Sequence, residues 1–313
     1  MLDYAGILAV TLPVYLMMGA GALLRKTGVL PMESDEGLMK LSVAVLTPAL
    51  IIERVAGNTA LMQPLSVLMA AGLGFVLVVL GIFISYAAAP WIGLRVHEGR
   101  RTFGVSCGLQ NYGFVAIPIV TALFPDQGTL GVLFTFMLGI ELACWTTCVG
   151  LLTGFNKAPL KLALNPPVIT ILSSLLLNFT GFHGFIPQVV HNMLGMLGGC
   201  AVPLAVLLIG ASIADIWGQE RMNWKIAVLS PVLRLGIIPL AFLATAVFLP
   251  LTNELKRILI VQAAMPSAVF NIVIARMYGG HPATAVQCVL ATTVVSCVTT
   301  PFVIAWAVKW IGV

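Results

Sequence analysis

The chain has 313 residues, 60% of them apolar and only 9% charged, with a mean hydropathy of +1.06. Soluble globular proteins carry about 25% charged residues, so this composition excludes that class and predicts an all-α integral membrane protein whose solvent is the lipid bilayer. The net charge of +5 is scattered over short loops; with no basic face, nucleic acid is excluded as a partner.

Ten apolar runs follow one another along the chain, at 4–24, 37–53, 64–89, 102–123, 128–152, 166–181, 188–213, 224–249, 255–277 and 284–309. A bilayer core of ~30 Å needs ~20 such residues per helix, so each run reads as a transmembrane helix. Asp3 is the only charge before the first run and no basic segment precedes it, which makes that run a span and not a signal peptide. The fourth run is interrupted. The sixth is short and opens on Pro166-Pro167, a good first helical turn. The short connections leave no room for a nucleotide-hydrolysing domain. No Walker sequence or nucleophile elbow occurs, so the chain does not read as an enzyme.

Loop charge sets an orientation. Arg25, Lys26, Lys40, Arg95, Arg100, Arg101, Lys157, Lys161, Arg221, Lys225 and Arg276 fall on one side, and only Arg54, Lys256, Arg257 and Lys309 on the other. The asymmetry places both termini outside, which is periplasmic in an inner membrane. Cys107, Cys144, Cys148, Cys200, Cys288 and Cys297 all lie within spans without metal-ligand spacing; they read as packing residues, and no metal site or cofactor is expected. Gly104–Gly108 and Gly195–Gly199 fit the small-xxx-small rule for close helix packing. Asn178-Phe-Thr180 matches a glycosylation sequon.

Several features recur at a near-constant offset: Pro48 and Pro203, Arg101 and Arg257 ahead of an interrupted run, and Cys144-Trp-Thr-Thr147 and Cys297-Val-Thr-Thr300 in the last run. The order implies two five-helix repeats, residues 1–155 and 156–313. Five is odd, so the second repeat enters the membrane upside down, giving a 5+5 inverted repeat.

The two interrupted runs carry the candidate site. The first reads Gly108-Leu-Gln110-Asn111-Tyr112-Gly113-Phe-Val-Ala-Ile-Pro118, the second Gln262-Ala-Ala-Met265-Pro266-Ser267-Ala-Val-Phe-Asn271. Non-helical backbone survives at membrane depth only if packed in protein or lining a wet cavity. Paired interruptions in corresponding places mark a transporter's binding site. The freed N–H groups of two half-helix N-termini suit a carboxylate. Pro118 and Pro266 force the breaks. Gln110, Asn111, Tyr112, Gly113, Met265, Ser267 and Asn271 are the candidate substrate-binding residues, the amides as donors and Gly113 as the point of close approach. Glu141 and Arg234 lie deep in spans, where a charge demands a function or a partner. Arg234 attracts or balances the anion, or Glu141 carries a proton, or the two pair with each other or with backbone and hold the bundle.

The stretch Ile260-Val-Gln262-Ala-Ala-Met-Pro266 with Ala275-Arg-Met-Tyr278-Gly-Gly-His281-Pro282 resembles the ninth helix of the auxin efflux carrier family, and Asn111–Pro118 resembles its fourth. The resemblance implies a fold similar to bile-acid symporters and sodium/proton antiporters. Spans 1, 2, 6 and 7 would form a scaffold and the other six a moving transport domain. Spans 4 and 9 would cross at Pro118 and Pro266, a carboxylate would bind near Asn111, and the scaffold would form a homodimer. Ser267-Ala268, Asn271 and Tyr112 depart from the plant pattern, and the long cytoplasmic loop of many plant members is missing. These changes point away from auxin itself and leave another organic acid. The expected function is a secondary transporter of a small organic anion such as malate, malonate or an auxin-like acid, working by elevator-type alternating access. It would be driven by membrane potential or by protons. A ligand-sensing membrane protein and an ion channel are the alternatives.

Overall fold

The computed structural model describes residues 4–155, 165–217 and 222–313, with only the backbone of His97. Asp3, Lys157, Lys161 and Arg221, used above for topology, lie outside the described residues, as does the start of the second repeat.

Lipid offers backbone groups no hydrogen bonds, so a chain this apolar must satisfy them within helices. The first helix, α1, spans Tyr4–Lys26. Next, α2 (Asp35–Leu41) runs through a π turn into α3 (Thr47–Val55). After α4 (Pro64–Ala88) come two half-length helices, α5 (Arg101–Gly108) and α6 (Ala116–Leu123). Then α7 (Gln127–Ala143) continues through a π turn at Cys144–Cys148 into α8 (Val149–Thr153). They are followed by α9 (Pro166–Thr180) and α10 (Gln188–Ile216). Another π turn, Val232–Ile237, joins α11 (Trp224–Pro231) to α12 (Ile238–Phe248). A second pair of short helices, α13 (Asn253–Ala264) and α14 (Phe270–Met277), precedes α15 (Pro282–Ile311). Side chains mark the starts: Asp126 accepts from the Thr129 N–H at 2.7 Å, and Asn165 from that of Val168 at 3.0 Å.

Six stretches among the described residues are long and apolar enough to cross a membrane: Tyr4–Lys26, Pro64–Ile92, Gln127–Thr153, Gln188–Ile216, Trp224–Phe248 and Pro282–Ile311. The protein is therefore a multi-pass, all-helical membrane protein. The expected fourth and ninth runs are each broken into two short helices.

Close approach of helices rests on glycine. Gly74 and Gly139 seat α4 and α7 against each other's backbone, at Phe136 and Ala71. Gly108 likewise lets α5 lie on the backbone of Ile82 in α4. The first small-xxx-small motif thus does what was expected of it. The second does not: Gly195 and Gly199 have nothing within 4 Å, and only Gly198 packs inward, on Leu50. The sequon is also corrected. Asn178 is buried, its amide donates to the Val55 carbonyl at 2.7 Å, and its oxygen accepts from the Gly57 N–H. It is a C-cap for α3, not an open acceptor.

Helix ends are tied together in clusters. Arg25 bridges Asp35 and Asp215; the guanidinium of Arg101 donates to the Leu152 carbonyl and the His281 N–H to Thr102. Elsewhere Asn58 donates to the Gln127 carbonyl and Arg257 pairs with Asp126.

Candidate functional site

The two broken segments, residues 109–115 and 265–269, meet inside the molecule. They run antiparallel and pair through a bridge between Gln110 and Ser267. The Asn111 N–H donates to the Pro266 carbonyl at 2.7 Å, and the Ala268 N–H to the Leu109 carbonyl at 3.1 Å. Side chains extend the seam: the Gln110 amide donates to Gln262 Oε1 at 3.2 Å, and the Gln262 amide to the Tyr112 carbonyl at 2.9 Å. The crossing is thus a two-residue strand pairing, which needs fewer backbone partners than two free loops.

This geometry corrects the expected crossing at both prolines. Pro266 lies in the seam, opposite Asn111. Pro118 is the third residue of α6, outside the seam. Its ring excludes the carbonyl of the fourth residue back, Phe114, from helical bonding, so Pro118 terminates the break without occupying it.

At the crossing the two kinds of helix end are treated differently. The C-terminal ends of α5 and α13 are filled by the protein's own donors. Asn271 donates to the Ser106 and Leu109 carbonyls at 3.3 and 3.0 Å, and Thr300 to the Ala264 carbonyl at 2.9 Å. Arg234 supplies the rest. Its Nε donates to the Met265 carbonyl at 3.1 Å and Nη2 to that of Gln262 at 3.2 Å; Nη1 reaches the Gly108 carbonyl at 3.4 Å and Gln110 Oε1 at 3.5 Å. The side chain is fully buried, with Phe242 5.6 Å away under the guanidinium. It projects from the π turn between α11 and α12, a local widening of the kind frequent at functional sites.

The N-terminal ends of α6 and α14 are open. Among the described residues, no acceptor takes the N–H groups of Gly113, Phe114, Val115 and Ala116, or those of Val269 and Phe270. Gly113, Phe114, Val269 and Phe270 are partly exposed. Asn111 is 4% exposed, and its side-chain amide makes no hydrogen bond to the described residues. A Cβ at Gly113 would meet only the tip of Met137, at 3.3 Å.

Glu141 sits beside this opening, half-buried. The Tyr112 hydroxyl donates to Oε1 at 2.5 Å; Trp145 Nε1 and the Asn165 amide both donate to Oε2 at 2.9 Å. Trp145 in turn packs edge-on against Phe270, the first residue of α14, with centroids 6.2 Å apart. One carboxylate therefore holds Tyr112, ahead of α6, directly and touches the first residue of α14, Phe270, only through Trp145. Glu141 and Arg234 do not pair with each other; Arg234 takes the other form of the expected structural reading, pairing with backbone, and Glu141 has side-chain partners of its own.

The structure thus brings Gln110, Asn111, Tyr112, Gly113, Met265, Ser267 and Asn271 together but divides their labour. Gln110, Met265 and Asn271 hold the frame, and Ser267 is fully buried, its N–H donated to Thr292 at 3.1 Å. Asn111, Tyr112 and Gly113 face the opening. Sequence reasoning missed Gln262, Thr292, Thr300, Trp145 and Asn165. One signal was present for Thr300, which closes the second Cys-x-Thr-Thr repeat and caps α13.

A family model described as "Membrane transport protein" matches residues 7–154 and 151–304. The chain is 24% identical to an uncharacterized transporter of Methanocaldococcus jannaschii over 86% of this chain and 88% of that protein. It is 25% identical to an uncharacterized transporter of Methanothermobacter thermautotrophicus over 97% and 99% of the two chains. Auxin efflux carrier component 8 of Arabidopsis thaliana is 26% identical over 44% of this chain and 38% of its own length.

Proposed function

We propose, from the premise that the chain belongs to the membrane transport protein family and is a transporter rather than an enzyme, that it carries a small organic anion. One observation carries the reading: negative helix ends at the crossing are saturated by resident donors, whereas positive ends are left open. A helix N-terminus is worth about half a positive charge, and two of them beside a free amide, Asn111, suit a carboxylate. A mono- or dicarboxylate such as malate, malonate or an auxin-like acid fits that chemistry. The name of the Arabidopsis relative adds weight to a carboxylate.

The transport cycle in this reading is alternating access of elevator type on ten spans in a 5+5 inverted repeat. Helix packing supports the division: α1 and α3 lie against α10, and α3 against α9, while α4 packs on α5 and α7, and α15 on α11 and α13. The first group would be the scaffold and dimer interface, the second the moving body. Both termini are placed outside, in the periplasm. Membrane potential supplies ~2.3 kcal/mol per charge per 100 mV, enough to drive anion export without a coupled ion. Glu141 serves as an anchor for Tyr112 and Trp145; coupling to protons is the rival.

Purified protein in proteoliposomes tests this. Malate and malonate should show saturable counterflow, and a thermal-shift screen of carboxylates should find a stabilising acid. Flux that never saturates would make the protein a channel, and binding without flux a sensor.

A further inference from the structure

Arg234 is the largest fully buried side chain among the described residues, and the anion-carrying step described above does not use it. An isolated guanidinium at membrane depth costs several kcal/mol unless paired. Its partners here are unusual: three backbone carbonyls and one amide oxygen, with no carboxylate of the described residues within salt-bridge distance. Those carbonyls belong to the last turns of α5 and α13 and the residue just after α13. Each C-terminus carries about half a negative charge, so two converging ends sum to roughly one, which a single fixed cation cancels. In transporters built on broken helices, such C-terminal ends and unwound carbonyls are where a coupling cation is coordinated.

We propose that the guanidinium of Arg234 is the resident cation of the crossing: it occupies a carbonyl cluster otherwise able to hold a monovalent ion, and so positions the two broken segments without one. Arg234 is then a positioning residue and not a substrate ligand, since every guanidinium nitrogen already has an acceptor and the side chain is closed to solvent. The cluster left by a small neutral residue would take a cation from solution. This inference rests on the carrier reading for its transport readout, but its binding readout does not.

The experiment compares wild type, Arg234→Ala and Arg234→Lys. In detergent, the melting temperature of Arg234→Ala should rise on titration with millimolar guanidinium chloride, sodium or potassium against a choline control, with wild type and Arg234→Lys indifferent. In proteoliposomes, Arg234→Ala should lose at least about tenfold of its uptake rate in choline, the size expected for losing bonds to a charged group. One of the small cations should restore it, and Arg234→Lys should stay near wild type without added ions. Arg234→Ala protein that is folded yet insensitive to all three cations in both assays overturns the proposal. So does Arg234→Lys behaving as badly as Arg234→Ala. Should Arg234→Ala fail to fold, expression in guanidinium-containing medium that does not recover it counts against the idea in the same way. Cation-dependent melting with no transport by any variant would leave the resident cation standing and sink the carrier reading instead.

Discussion

The crossing has a closed side and an open side, built from the same two broken helices. On the closed side, the carbonyl ends of α5 and α13 meet Arg234, Asn271 and Thr300, and Gly108 is pressed onto α4. On the open side, the first N–H groups of α6 and α14 and the Asn111 amide have no acceptor among the described residues, and only the flexible tip of Met137 would stand near a Cβ at Gly113. The protein spends its own polar side chains on one sign of helix-end charge and leaves the other sign unanswered. The proposed preference for an anion over a cation rests on that asymmetry, and not on the presence of breaks as such.

The largest effect should come from overfilling the closed side. A Cβ at Gly108 would lie 2.5 Å from Ile82 Cα, and the backbone of α4 cannot step aside locally. Gly108→Ala should cost about 3 kcal/mol or more, seen as loss of folded protein on size exclusion or a collapsed melting transition. Gly113→Ala is the matched control, because only the flexible end of Met137 stands in its way at 3.3 Å. It should fold normally. Equal stability of the two variants would erase the distinction between the sides.

Next in size is Asn111→Ala on the open side. The side chain holds nothing in the protein together, so the melting temperature should stay near wild type. If its amide donates to a bound carboxylate, the lost bond to a charged partner is worth about 1.5–3 kcal/mol. Affinity by titration calorimetry or thermal shift should therefore fall at least about tenfold. Unchanged affinity would move the site elsewhere. Such an outcome would leave the closed side as described.

Much of this contrast could be read before any coordinates. Amides, glycine and proline in the middle of apolar runs announce broken helices, because hydrocarbon tolerates such backbone only when it is covered. Apolar length also marked where the long helices lie, and the Pro166-Pro167 start of the sixth run is the start of α9. What could not be read is how the ends are filled. Arg234 is satisfied by carbonyls, which every residue has, so no residue type 28 or 126 positions away signals the partnership. For the same reason Pro118 and Pro266 looked like a matched pair, although only Pro266 enters the seam. Gly195–Gly199 satisfied a packing rule that depends on spacing alone, and spacing does not say whether a helix face meets protein or lipid.

Glu141→Gln probes the link between the open side and its surroundings, with a moderate effect expected. Both carboxylate oxygens accept, from Tyr112, Trp145 and Asn165. An amide nitrogen would set a donor against a donor at one of them and loosen Tyr112 ahead of α6, or Trp145, which packs on Phe270 of α14. Uptake should slow several-fold, about 1 kcal/mol for one bond of this kind, while its dependence on pH persists. Loss of that dependence with the rate retained would instead make Glu141 the proton carrier and replace potential-driven export by proton coupling.

Ser267→Ala should have the smallest effect, and its smallness is informative. Ser267 stands in the seam opposite Gln110, where a substrate-binding hydroxyl was expected. The structure commits its backbone N–H to Thr292 and buries its hydroxyl completely, without a partner among the described residues. A buried hydroxyl with no partner costs free energy, so removing it should leave stability unchanged or raise it by up to about 1 kcal/mol. If the open side alone binds the anion, affinity should move by less than about twofold, within ~0.4 kcal/mol at 1.4 kcal/mol per decade. A tenfold loss of affinity with unchanged melting would place Ser267 on the substrate. The closed side would then have to open during binding, and the division between the two sides would describe one state of the carrier instead of its architecture.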